Sequence, residues 1–387
     1  MSNRPIYLDY HATTPVDERV LTAMLPYFTE CFGNPSSNHI YGWEGGAAVK
    51  QAREIIATAI NATPEEIIFT SGATEANNLA IKGVGEAYFQ KGQHIITVAT
   101  EHNAVLDPCQ YLQSLGFEIT ILLVQGDGII NLNQLGEALR DDTVLVSVMA
   151  VNNEIGVLQP LAEIGAMCRQ NHVLFHTDAA QAIGKITLDV QEMQIDLMSL
   201  TAHKIYGPKG VGALYVRRRN PRVQLAPQQH GGGHEQGMRS GTLATPQIIG
   251  FGKAVEIAVA EQDKENQRVV RLRDKLWSQI SQLEGIYLNG HPTLRVGENL
   301  NVSVAGVNGA ALLRGLQPTM TISSGSACSS TKTEPSHVLT ALGRSQDLAY
   351  ASVRFGIGKN NTEEEINQVA AHFISTVTSL RKQGSLV

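Results

Sequence analysis

The chain has 387 residues, 43% of them hydrophobic, enough for a large core and two domains, which excludes a disordered polymer. Aromatic residues make up only 5% and the net charge is −6, so a nucleic-acid partner is not expected. Four cysteines (Cys31, Cys109, Cys168 and Cys328) lie far apart with no Cys-x-x-Cys, which argues against a disulfide scaffold or a zinc ribbon.

In chain order, the first ten residues lack the apolar core of a signal peptide. Apolar spacing near 3.6 predicts helices over 15–30 and 41–60. Strand–helix alternation follows. Strands are predicted over 66–70, 94–99, 117–124 and 143–151, with helices over 74–90, 104–115, 132–140 and 160–171. Three more strands, 173–176, 197–200 and 211–216, complete the set. Such alternation predicts a mostly parallel sheet covered on both faces. Ligands of such sheets sit beyond the carboxyl ends of the strands. The most apolar stretch, Val144 to Val151, is too short to span a bilayer, so no membrane association is expected and the expected setting is cytoplasmic.

After Gly241 the character changes. A long charged helix is predicted over 246–283. Short strands near 286–289, 299–304, 321–324 and 351–356 alternate with helices near 308–316, 335–342 and 362–382. This half predicts a smaller α/β domain. The expected division is 14–260 for the large domain, with 1–13 and 261–387 forming the small one.

Several constellations carry chemistry. Thr70-Ser-Gly-Ala-Thr-Glu75 turns a strand into a helix, and backbone N–H groups with Thr74 can seat a phosphate there. An ordinary capped turn fits the same residues. Asp178 ends the strand that begins at Val173. A carboxylate there can pair with a protonated pyridine nitrogen or cap a helix. Gln181 is placed to meet a ring oxygen, as is Asn153 after strand 143–151. Thr201, His203 and Lys204 lie between an apolar strand and the Gly207-Pro-Lys-Gly210 turn. Two of them can bind phosphate, and the lysine amine can form a Schiff base with an aldehyde cofactor. His102 follows strand 94–99 and can lie over an aromatic cofactor and move protons. His172 and His176 flank a strand rather than ride one helix face, so no metal is expected. Cys328 stands within Ser323-Ser-Gly-Ser-Ala-Cys-Ser-Ser330, among small residues, and reads as an accessible nucleophile. Gly231-Gly-Gly-His-Glu-Gln-Gly-Met-Arg-Ser-Gly-Thr242 can cradle a phosphate, make a subunit contact or serve as a linker.

These pieces, in this order, resemble the cysteine desulfurases, which are fold-type-I pyridoxal 5′-phosphate enzymes, and in particular the branch serving iron–sulfur cluster assembly. The likeness runs from Tyr7-Leu-Asp-Tyr-His-Ala-Thr-Thr-Pro15 to Arg354-Phe-Gly-Ile-Gly358. Its most specific elements are His203 to Gly210, Met238 to Thr242 and Ser323 to Cys328. The resemblance implies that Lys204 holds the cofactor covalently, Asp178 pairs with the ring nitrogen, and Gln181 and Asn153 touch the ring oxygen. It implies that His102 stacks on the ring and that Thr74, Thr201 and His203 hold the phosphate with Thr242 of a second copy in a homodimer. Asn34 and Arg354 would hold the carboxylate of L-cysteine. Cys328, on a loop at about 320–335, would take the sulfur as a persulfide, leave L-alanine, and pass the sulfur to an iron–sulfur scaffold or another acceptor protein. A selenocysteine or cystine lyase on the same scaffold, or a non-catalytic sulfur-relay subunit, are the alternatives. Gln236 stands where such enzymes commonly carry arginine.

Overall fold

The computed structural model describes residues 4–324 and 335–384. The strands among them are β1 (Ile6–Tyr7), β2 (Ile67–Thr70), β3 (His94–Val98), β4 (Glu118–Leu122), β5 (Thr143–Ser147), β6 (Leu174–Asp178), β7 (Leu197–Thr201), β8 (Gly212–Val216), β9 (Ile286–Leu288), β10 (Asn299–Val304), β11 (Met320–Thr321) and β12 (Ser352–Gly356).

Seven of them form one sheet in the order β2-β8-β7-β6-β5-β3-β4. Only β8 runs against its neighbours, so the sheet is mostly parallel. The central strands β5, β6, β7 and β8 are buried along their whole length. That burial on both faces is why they read as continuous apolar runs. The edge strand β4 is more exposed. On one face, Ile56, Phe175, Met198 and Phe251 join the sheet to helices Ile40–Ala59 and Thr245–Ile280. On the other, Leu79, Val105, Leu145 and Leu214 join it to helices Ala73–Ala87 and Asn103–Ser114.

A separate core gathers Leu8, Leu276, Val302, Phe355 and Phe373 around the antiparallel sheet β12-β10-β9. The helix Thr245–Ile280 serves both cores. Its residues up to Ile257 pack in the first, and those from Val269 onward in the second.

The structure corrects several expected boundaries. The helix over 15–30 is two, Glu18–Met24 and Pro26–Thr29, because Pro26 has no N–H to continue the first. The strand over 143–151 ends at Ser147, and that over 321–324 is Met320–Thr321. The short helix Gln346–Tyr350 and the two-residue strand β1, which pairs with β11, were not expected from the pattern. Among the described residues, no helix is long and apolar enough to cross a membrane.

Candidate active site

The parallel strands β2, β3, β5, β6 and β7 all end at the same edge of the sheet, and there a cavity of about 520 Å³ opens. That volume suits a small cofactor with its substrate. Thr74, His102, Asn153, Asp178, Gln181, Thr201, His203, Lys204 and Arg354 all line it, so nine expected site residues from well-separated segments meet in one place.

One end is built for an anion. Gly72 caps the helix Ala73–Ala87 at φ +152° and ψ −179°, a conformation open only to glycine. The first N–H groups of this helix lack intrahelical acceptors, and its dipole favours negative charge. Thr74 lies in that first turn. Thr201, the last residue of β7, is buried, yet its Oγ1 has no hydrogen-bond partner. A buried hydroxyl without a partner is costly, and a phosphate oxygen would satisfy it. His203 contacts Thr13 Oγ1 through Nδ1 at 3.1 Å. Burial, with Lys204 and Lys209 nearby, pushes its pKa down to about 4, so it is neutral.

At the other end, Asp178 terminates β6 and is buried. Its Oδ1 accepts from Ala180 N–H at 2.9 Å, and its Oδ2 accepts from Asn77 Nδ2 at 2.7 Å. Both oxygens are thus oriented by the fold. His102 caps the helix Asn103–Ser114, and its Nδ1 accepts from Ala104 N–H at 3.0 Å. That bond leaves the ring proton on Nε2. Burial lowers the pKa of His102 and favours the neutral ring. Lys204 is partly buried in the cavity wall. The residues present therefore fit a phosphorylated pyridine aldehyde, with donors for the phosphate, a carboxylate for the ring nitrogen and a lysine for the aldehyde.

Arg354, in β12, is 2% exposed. Its Nη1 donates to Asn153 O at 2.8 Å, and its Nη2 donates to Asp9 Oδ1 at 2.8 Å and to Ser323 Oγ at 3.1 Å. Its Nε is buried without a partner. An arginine already fixed by Asp9, with its buried Nε–H unpartnered, is organised to receive a second carboxylate.

Two expected residues lie elsewhere in this chain. Asn34 does not line the cavity; it is exposed, and its Oδ1 accepts from Ser36 N–H at 3.0 Å. Thr242 is exposed and also outside the lining. Cys328 lies outside the described residues, as does most of the loop expected at about 320–335. Cys109 and Cys168 are buried, and burial pushes the Cys109 thiol up to about 12. Gln236 donates through Nε2 to Glu65 O at 2.7 Å and accepts from Arg218. Sequence reasoning missed Asn77, which looks like an ordinary mid-helix residue, and His11, which lines the cavity from within a segment that had no chemistry assigned.

The fold and the site define an α/β enzyme of the fold-type-I class, which works with pyridoxal 5′-phosphate. Residues 6–369 match the aminotransferase class-V family, and the chain belongs to it. It is 54% identical over 384 residues to the cysteine desulfurase IscS of Methylobacillus flagellatus, covering 99% of this chain and 94% of that one. Among solved structures, a NifS-like protein superposes with a TM-score of 0.90 at 36% identity, covering 97% of this chain and 100% of that one. SspA in complex with cysteine gives 0.82 at 40% identity, over 91% of this chain and 98% of that one.

Proposed function

We infer that this chain is a pyridoxal-phosphate-dependent cysteine desulfurase, removing sulfur from L-cysteine to give L-alanine and an enzyme persulfide for iron–sulfur cluster assembly. The observation that carries the reading is the meeting of Lys204, Asp178, His102 and the helix N-terminus in one cavity, in a chain 54% identical to a cysteine desulfurase. When bound, the cofactor supplies an electron sink for charge developing at the substrate α-carbon.

The residues would divide the work as follows. Thr74, Thr201 and His203 hold the phosphate, and Asp178 keeps a proton on the ring nitrogen. Lys204 Nζ anchors the cofactor and, once released, moves the α-proton. Arg354 orients the substrate carboxylate, which supplies part of the rate as lost rotational freedom. Asn34 and Thr242 would contribute from a second copy in a homodimer, since both are exposed and outside the cavity in the single chain. The exposed Leu25, Phe28, Phe32, Ile40, Tyr41 and Trp43 offer an apolar surface for that pairing. His102, which lines the cavity, would be the candidate for proton transfers at the ring. The Cys328 thiolate attacks the substrate sulfur. The carbon–sulfur electron pair stays with the carbon, which is protonated on the way to alanine. The division between domains falls at 260/261, inside the helix whose two halves serve different cores. A cytoplasmic setting and an acceptor protein for the sulfur complete the proposal.

The test is to give the cofactor-loaded protein L-cysteine, quantify alanine, and weigh the peptide containing Cys328. Alanine release and one added sulfur on that peptide are expected. Lys204→Ala should release no alanine, and Cys328→Ser should bind cofactor yet gain no sulfur. Normal turnover by either variant would overturn the assignment of that residue.

A further inference from the structure

Gln181 is 2% exposed, lines the cavity, and sits in an unusual cluster. Its Oε1 accepts from Lys185 Nζ at 3.1 Å and lies 3.3 Å from His11 Nδ1. Its Nε2 donates to the backbone oxygen of His11 at 2.9 Å.

These partners leave no freedom in the amide. An ammonium only donates and a carbonyl oxygen only accepts. Turning the amide over would set its NH₂ against the Lys185 ammonium and its oxygen against the His11 carbonyl. Both lone pairs of Oε1 are taken, and one N–H of Nε2 is taken. What remains for the cavity is a single N–H. His11 must carry its own proton on Nδ1, since its partner is an acceptor, and its buried Nε2 then has no protein partner.

We propose that Lys185 is a positioning residue that acts through Gln181, locking the side-chain amide so that only a donor is presented to the ring oxygen of the cofactor. This rests on the cofactor reading given above. The groups that bear on the cluster electrostatically come from several elements. The charges of Arg354 and Lys204 act on His11, and those of Glu298 and Arg354 act on Lys185. Burial, followed by the charge of Lys185, keeps His11 well below its usual range and therefore neutral. Burial also lowers Lys185, while Glu298 opposes that shift.

A donor aimed at the ring oxygen stabilises its anionic form. Loss of Lys185 frees the amide to turn away its N–H, which favours the protonated chromophore, whereas an effect of the charge alone would persist without Gln181. The experiment titrates the visible absorption of the protein loaded with pyridoxal 5′-phosphate, without substrate, from acid to alkaline pH. Lys185→Met should raise the midpoint by about one pH unit, a tenfold change in the proton equilibrium. Lys185→Arg, which keeps both charge and donors, should stay near the wild type. Gln181→Met should raise the midpoint by itself, and adding Lys185→Met to it should then shift the midpoint little further.

An unchanged midpoint in folded Lys185→Met overturns the proposal. So does an equal shift in the presence and absence of Gln181, which would mean that the charge acts directly. If Lys185→Met does not fold, Lys185→Gln takes its place in the same comparison. A wild-type protein that develops no visible band with the cofactor would instead overturn the underlying cofactor reading.

Discussion

At the scale of single residues, the site is marked by polar groups that the protein leaves unsatisfied. Thr201 Oγ1 and Arg354 Nε are both buried without partners, and both residues line the cavity. Away from the cavity some buried polar atoms also lack partners, Thr177 Oγ1, Tyr215 Oη and Arg295 Nε among them, while others are matched. His176, for example, holds Ser147 at 2.8 Å and Ser199 at 3.0 Å. The contrast yields a prediction in which affinity and stability part company. Thr201→Val removes a hydroxyl that has no protein partner and keeps the side chain's branched shape. The cofactor-free protein should be as stable as the wild type, or more stable by about 1 kcal/mol. The cofactor dissociation constant should rise about tenfold, or ~1.4 kcal/mol. Thermal melting with and without cofactor checks both. A lower melting temperature with unchanged affinity would make Thr201 a structural residue.

At the scale of elements, the helix Ala73–Ala87 presents its N-terminus to the cavity while sending Asn77, one turn in, to Asp178. One helix thus orients both the anion seat and the carboxylate. Gly72 sets its entry angle. Gly72→Ala should cost about 1–3 kcal/mol of stability because alanine does not reach φ +152° with ψ −179°. The helix start must then shift, so cofactor affinity should fall as well. Equilibrium dialysis with the cofactor and urea unfolding measure the two effects, and unchanged affinity would count against the anion seat. These elements were legible in sequence because each strand is a short apolar run ended by a small polar cluster. The strand-end position makes Thr74, Asp178 and Thr201 conspicuous without a structure. Asn77 was not legible, since its role depends on which strand lies opposite its helix. Nor was β1, because two residues carry no periodicity and Ile6 and Tyr7 pair with a strand more than 300 positions away. The break at Pro26 is visible as a proline, but the apolar spacing continues across it and by itself predicts a single helix.

At the scale of the whole molecule, the two cores meet along a polar seam centred on Glu154. Its backbone oxygen accepts from Asn299 Nδ2 and Asn301 Nδ2, both at 3.0 Å, tying the segment after β5 to β10. Its side-chain Oε2 accepts from Ser336 Oγ at 2.5 Å. Burial raises the Glu154 pKa to about 7, against the opposing pull of Ser336 and Arg354. The sign of the linkage follows. An ordinary glutamate titrates near 4.5 when unfolded, so between pH 4.5 and 7 the folded chain holds a proton that the unfolded chain has lost. Stability contributed at low pH is therefore lost as pH rises through this window and stays lost above it. The loss amounts to about 3 kcal/mol at most, at 1.36 kcal/mol per pKa unit. Glu154→Gln keeps an oxygen for Ser336 and cannot ionise. At pH 4.5 the variant and the wild type should unfold at similar urea concentrations. At pH 8 the variant should be the more stable by up to about 3 kcal/mol. An equal difference at both pH values would show that the seam depends on the shape of this side chain and not on its proton.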